Sequence, residues 1–257
     1  MASLWCGERL IHKNPTLVLF DKDGTLIDIH HYWSSMIRIR ASLIIARWFE
    51  GGAEKERVKS CLIDAMGVDI ETGMMKPNGP VGIKSRAFIV NVAADIVRIN
   101  GVLIDDIEME ALFSEVDKET SQDLSPLLKV LPGVKELLHR LRVCGISIKV
   151  VSTDITSRAV NAMETLALDH FFDEIIGGDA VDNTKPAPDL AYYALRKGSY
   201  DASRTVVIGD HAVDILMGQR AGIDANIGVL TGLSGVLDFD AFNCSVVNDL
   251  TAIEVRC

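Results

Sequence analysis

The 257-residue sequence has no long apolar run, no excess of positive charge and no paired-cysteine motif. Its richest early apolar stretch, residues 41–49, is broken by Arg47 and falls far short of the roughly 20 residues a spanning helix needs. No membrane span is therefore expected. Lys and Arg number 26 against 36 Asp and Glu, a formal charge of -10, and so acidic a chain repels a nucleic-acid polymer. The five cysteines, Cys6, Cys61, Cys144, Cys244 and Cys257, are odd in number, scattered and free of CxxC spacing. That pattern argues against a zinc site or a disulfide framework and for reduced thiols. The opening MASLWCGERLIHKNP lacks the basic start, apolar stretch and cleavage site of a secretory signal, so a cytoplasmic location is expected. Hydrophobic residues at 48% and charged residues at 24% exclude disordered, collagen-like and low-complexity classes.

What is present is an alternation of short apolar runs with helical stripes. Residues 16–20 (TLVLF) form a continuous apolar run, the pattern of a strand buried on both faces. Similar runs recur at residues 146–151, 174–176, 205–208 and 225–230. Between them, Val134, Leu137, Leu138 and Leu141 mark a helical stripe with Pro132 near its start and Gly145 past its end. Further helices are predicted after Thr153, from near Pro188 and over residues 212–221, the last stopped by Gly222. Strands alternating with helices predict an α/β fold: a doubly wound parallel sheet covered on both faces. Residues 29–125 differ, showing four helical patterns and no strand: one around Trp33 to Ile44, one around Val58 to Met66, one over residues 84–99 and one over residues 106–118. Residues 72–82 read as the loop across the middle of that stretch. The predicted domains are therefore a sheet-built core, residues 1–28 and 126–257, and an all-helical cap, residues 29–125, inserted after the first strand. The tail, residues 238–257, reads as a strand near Val246 and a short helix after Asn248 that complete the sheet domain.

Ligands of an open parallel sheet bind beyond the carboxyl ends of its strands. Asp21 and Asp23 sit at that end of the first strand, with Asp28 close behind and Gly24 permitting a tight turn. Three carboxylates crowded after a buried strand are costly to assemble without a cation. They suit a carboxylate nucleophile with a neighbouring acid around a hard metal. An isolated Asp-Gly turn would carry no such meaning.

The whole string FDKDGTLID (residues 20–28) resembles the first motif of the haloacid dehalogenase superfamily. Three further motifs follow in order: a strand ending VVSTD (residues 150–154), Lys185 in NTKPAPD (residues 183–189), and GDHAVD (residues 209–214). The overall plan resembles the phosphoglycolate phosphatase and beta-phosphoglucomutase branch, with a Rossmann-like core and a helical cap. The resemblance implies a magnesium-dependent phosphoric monoester hydrolase working through an aspartyl phosphate. Asp21 would be the nucleophile and Asp23 the acid and base. Magnesium would be held by the Asp21 carboxylate, the Asp23 backbone carbonyl and Asp210. Ser152 and the Thr153 backbone N–H would bind phosphate oxygens, and Lys185 would neutralise the charge shared by Asp21 and the phosphoryl group. Asp214 would support the metal or orient Lys185, and Asp28 would be structural.

The implied partner is a small phosphorylated metabolite, phosphoglycolate first among small acids and sugar phosphates. A phosphosugar mutase is the alternative within the superfamily. A phosphate-responsive binding protein like a signalling receiver domain is the alternative outside it, but receivers lack the DxDGT string and the large insertion. His30, His31, Tyr32 and Trp33 stand where the chain enters the cap, where they either pack, Trp33 foremost, or touch the leaving group. Lys84 and Arg86 read as a solvated helix face or as a second anion site, and His211 as a variable residue beside Asp210. The oligomeric state leaves no mark in the sequence.

Overall fold

The computed structural model describes residues 2–81 and 84–257. In chain order, β1 (Ser3–Cys6), β2 (Arg9–Lys13) and β3 (Leu17–Phe20) are followed by α1 (Ile29–Trp48), α2 (Ala53–Ala65), α3 (Arg86–Ile99) and α4 (Asp106–Thr120). Then come α5 (Val134–Val143), β4 (Ser147–Val151), α6 (Thr156–Thr165), β5 (Glu174–Ile176), α7 (Asp189–Arg196), β6 (Thr205–Gly209), α8 (Ala212–Arg220), β7 (Ala225–Val229), β8 (Ser245–Val247) and β9 (Ile253–Arg256). The chain divides into two compact units, Met1–Asp28 with Leu128–Cys257, and Ile29–Leu127.

The first unit is built on a six-stranded sheet of order β5-β4-β3-β6-β7-β8, every neighbouring pair parallel. All four residues of β3 are buried, as a central parallel strand covered on both faces requires. Leu17, Leu19, Val151, Ile176, Leu190, Val207 and Met217 share one core cluster. The α5 stripe packs as its spacing predicts, with Val134, Leu137, Leu138 and Leu141 all buried. Register sets the strand ends: Phe20 lies opposite both Val150 and Ile208. Asp21 is thus one residue past its strand, while Ser152 and Asp210 lie two residues past those partners.

A second, antiparallel sheet of order β2-β1-β9 was not expected. Gly7, at φ 56, allows the two-residue turn joining β1 to β2, whose last and first residues, Cys6 and Arg9, pair. In β9, Ile253 and Val255 are buried and alternate with exposed neighbours. The tail therefore does more than complete the parallel sheet: β8 does that, and β9 closes the chain onto β1. This sheet also corrects the expectation for the thiols. Cys144, capping α5, and Cys257, just past β9, form a disulfide with Cα atoms 5.3 Å apart, while Cys6, Cys61 and Cys244 are free.

The second unit consists of α1 to α4, packed around residues such as Met36, Ile37, Ile44, Val58, Leu62, Val90, Val97, Leu112 and Phe113. Ser85 caps α3 by accepting the Phe88 N–H, and Asp105 with Glu108 forms a capping box on α4. Of the expected loop over residues 72–82, Gly82 lies outside the described residues. No helix among the described residues is long and apolar enough to cross a membrane.

Candidate active site

Four buried ionisable groups converge at the carboxyl ends of the central strands. Lys185 Nζ lies 2.5 Å from Asp21 Oδ1 and 2.6 Å from Asp214 Oδ1. The carboxylates of Asp21, Asp210 and Asp214 come within 4.8 Å of one another and all three residues are buried. Local structure fixes each one. The Asp21 N–H donates to the Ile208 carbonyl at 2.9 Å, which extends the β3–β6 ladder by one bond. Asp214 divides its oxygens: Oδ1 faces Lys185, and Oδ2 accepts the His211 N–H at 3.1 Å at the start of α8. Asp210 Oδ2 accepts the Leu233 N–H at 3.0 Å.

Glycine makes room for Asp210 at two places. Gly24 has φ 93, and a Cβ there would lie 2.4 Å from the Asp210 carboxylate. At Gly232 a Cβ would lie 1.7 Å from Asp210 Oδ2. The loop after β7 is fastened over the acidic loop, since Thr231 Oγ1 donates to the Gly24 carbonyl at 2.5 Å.

The electrostatics are dominated by burial. Burial pushes Asp21 up to about 7 against the pull of Lys185, with the Asp214 carboxylate pushing the same way. Burial and the carboxylates of Asp21 and Asp214 raise Asp210 well above the usual carboxylate range. For Lys185, burial alone would favour the neutral amine, but Asp21 and Asp214 outweigh it and hold the ammonium protonated. One ammonium against three carboxylates leaves the cluster short of two positive charges. The donors are all hard oxygens, which fits magnesium and not a soft metal.

Other residues predicted for the site fall in distinct places. The Asp23 carboxylate stands outside the cluster of three; it accepts from the buried Lys22 ammonium at 2.8 Å. Ser152 is buried at the end of β4, and its Oγ accepts the Asp154 N–H at 3.1 Å. Thr153 is exposed. Asp28 is 3.6 Å from Lys129 Nζ. The His211 Nδ1 accepts the Val213 N–H at 3.2 Å, so its side chain caps α8. Sequence reading missed Lys22, Asp154 and the Leu233 N–H. Lys22 had a signal, a lysine at the end of an apolar run, but a backbone donor 23 residues from Asp210 leaves none.

Within the helical unit, His30 Nδ1 accepts the Met75 N–H at 3.1 Å, and a His31 ring nitrogen lies 3.1 Å from the Pro126 carbonyl. Tyr32, and not Trp33, is the fully buried aromatic of this group; Trp33 is half-buried, edge-on to it at 5.1 Å. Arg86 keeps about a third of its side chain in solvent and also bonds Glu110 at 2.8 Å and Asp117 at 2.5 Å. Asp117 also accepts from the buried Arg40 at 2.8 Å. Lys84 stands 5.7 Å from the Phe88 ring.

Residues 83–227, more than half of the chain, match the family model of the haloacid dehalogenase-like hydrolases. A phosphoglycolate phosphatase of Pseudomonas fluorescens is 26% identical over 216 residues, 81% of this chain and 67% of its own length. A crystal structure assigned as a phosphoglycolate phosphatase from Haemophilus somnus superposes with a TM-score of 0.68 at 19% identity, covering 93% of this chain and 96% of that one. Another, assigned as a beta-phosphoglucomutase from Thermotoga maritima, gives 0.66 at 22% identity over 92% and 95% of the two chains. At these identities the two structures speak to the fold. The matched residues hold the segments of Ser152, Lys185 and Asp210 but begin after FDKDGTLID.

Proposed function

The chain belongs to the haloacid dehalogenase-like hydrolases, and on that premise we propose that it is a magnesium-dependent phosphatase of a small phosphate monoester. The observation carrying this reading is the cluster of Asp21, Asp210 and Asp214 around the single ammonium of Lys185. The Asp21 carboxylate, the Asp23 backbone carbonyl and Asp210 would hold the metal. When bound, magnesium supplies the positive charge that lets an acidic site receive a phosphate dianion.

In the first displacement an Asp21 carboxylate oxygen bonds to phosphorus as the ester P–O bond breaks. The electron pair goes to the leaving oxygen, which takes a proton from Asp23 and departs as the alcohol. In the second, water attacks phosphorus, Asp23 takes its proton, and the P–O bond to Asp21 breaks to release inorganic phosphate. Lys185 offsets charge on Asp21 and the phosphoryl oxygens throughout. Ser152 and the Thr153 N–H bind the remaining phosphate oxygens, and the helical unit acts as the cap that selects the leaving group and excludes bulk water.

Phosphoglycolate is the first substrate to try, since the Pseudomonas relative carries that name. A mutase shares the first displacement but passes the phosphoryl group to a sugar hydroxyl. The test is phosphate release from phosphoglycolate, hexose phosphates, nucleoside monophosphates and pyrophosphate, with magnesium or with chelator. Turnover that needs magnesium and disappears in Asp21→Asn supports the reading. Folded protein that binds magnesium and releases phosphate from none of them refutes it.

A further inference from the structure

The acidic loop contains a cation that the two displacements leave unused. Lys22 lies between Asp21 and Asp23, and its side chain has no exposed surface. Packing alone would be better served by leucine or methionine, because a buried ammonium loses its hydration. Its Nζ instead sits 2.8 Å from Asp23 Oδ1 and 2.7 Å from Asp23 Oδ2, so it addresses both oxygens of one carboxylate. On another side Nζ is 3.4 Å from Asp154 Oδ2. Asp154 is itself held: its Oδ1 accepts the Ile155 N–H at 2.9 Å and lies 3.3 Å from the Arg158 guanidinium. Arg158 stands on α6, which follows β4, while Lys22 follows β3. A relay of charges thus runs from α6 through Asp154 and Lys22 to Asp23. Only Asp23 within the Lys22 pair has exposed side-chain surface, at 15%.

We propose that Lys22 is a positioning residue for the reaction, fixing the Asp23 carboxylate toward the leaving oxygen while Asp154 and Arg158 brace Lys22 from behind. The proposal rests on the reading of Asp23 as the group that protonates that oxygen. An aspartate beside a tight turn has free rotamers about two bonds, and a proton donor misplaced by an ångström loses much of its effect. Lys22 reduces that freedom through contact with both carboxylate oxygens, and burial of the lysine prevents it from following Asp23 into solvent.

The consequence is selective. An ester whose alcohol leaves poorly needs the proton from Asp23, whereas a nitrophenolate leaves without it. The test measures kcat/KM of wild type, Lys22→Met and Asp154→Asn on phosphoglycolate and on 2,4-dinitrophenyl phosphate. Far-UV circular dichroism and calorimetric magnesium affinity are recorded alongside. Lys22→Met should lose about 10- to 100-fold on the alkyl ester, part of the roughly 100- to 10,000-fold that general acid catalysis supplies. It should lose less than about 3-fold on the aryl ester, with magnesium affinity unchanged. Asp154→Asn should show the same skew more weakly, and carries the test if Lys22→Met does not fold. Equal losses on both esters, or no loss on the alkyl ester, overturn the proposal while the phosphatase reading stands. Where phosphoglycolate is not turned over, the alkyl ester of the panel above that wild type hydrolyses fastest takes its place, and wild-type protein inactive on the whole panel and on the aryl ester removes that reading and the proposal with it.

Discussion

Replacing Asp21, the proposed nucleophile, should stabilise this protein when no metal is present, and by an amount that depends on pH. Burial, partly offset by Lys185 and reinforced by Asp214, pushes Asp21 from 3.8 to about 7. A carboxyl whose folded-state pKa lies above its unfolded value contributes fully below about pH 4. That contribution is lost as pH rises through about 7. A rise of about three units amounts to about 4 kcal/mol, a large share of the roughly 5–15 kcal/mol that holds a typical domain together. Asparagine has nearly the same shape and cannot ionise. Lys185 retains Asp214 at 2.6 Å, so Asp21→Asn does not strand a buried ammonium. In chelator at pH 8 the variant should exceed wild type by about 2–4 kcal/mol, the lower end allowing for local relaxation. At pH 4 the two should coincide. Urea unfolding followed by circular dichroism at pH 4, 6 and 8 measures the gap. Saturating magnesium should narrow it, because binding to the folded wild type adds its own stabilisation. A variant no more stable than wild type at pH 8 in chelator, or a gap of the same size at pH 4, would refute the reasoning.

Two substitutions test the supports of the site and the second sheet. Gly24→Ala places a Cβ 2.4 Å from the Asp210 carboxylate at a backbone φ of 93; it should cost about 1–3 kcal/mol and weaken magnesium binding at least about 10-fold, read by calorimetry. Unchanged affinity would show that Asp210 can move without consequence. Cys257→Ser removes a link spanning 113 residues, for which chain entropy gives about 4–5 kcal/mol. Wild type should unfold at higher urea than the variant in air and at the same urea in dithiothreitol, and equal midpoints in air would contradict it.

The parallel sheet was legible because each of its central strands is buried on both faces, which leaves an unbroken apolar run such as TLVLF in the sequence. The helices of the second unit were legible from their stripes and terminators. The sheet of β1, β2 and β9 was not, for a physical reason: its strands are half-buried, short and mixed in polarity. RLIHK in β2 presents no residue that is fully buried. The Cys144–Cys257 bond was hidden behind that failure, since only the pairing of β9 with β1 brings the tail beside α5. Arg86 shows a related limit. Spacing along α3 places it on a polar face, but only the packing of α3 on α4 reveals that Glu110 and Asp117 stand opposite it.

The motifs named the acids at the strand ends without saying how the charge among them balances. Seven carboxylates, Asp21, Asp23, Asp28, Asp154, Asp189, Asp210 and Asp214, and two lysines, Lys22 and Lys185, lie in these segments. A count alone suggests a deficit shared by all nine. The structure divides the lysines between two groups: Lys185 serves Asp21 and Asp214, while Lys22 serves Asp23 and Asp154. Asp210 is left to a single backbone N–H and to the like charges beside it. The shortage is therefore concentrated where Asp21, Asp210 and Asp214 meet, and Asp23 is kept apart from it with a cation of its own. That separation suits two tasks with opposite needs. On the proposed function, the cluster that would hold the metal must remain negative enough to attract a divalent ion, whereas the Asp23 side chain, which would give and take a proton, must be insulated from that ion's competition for its carboxylate oxygens.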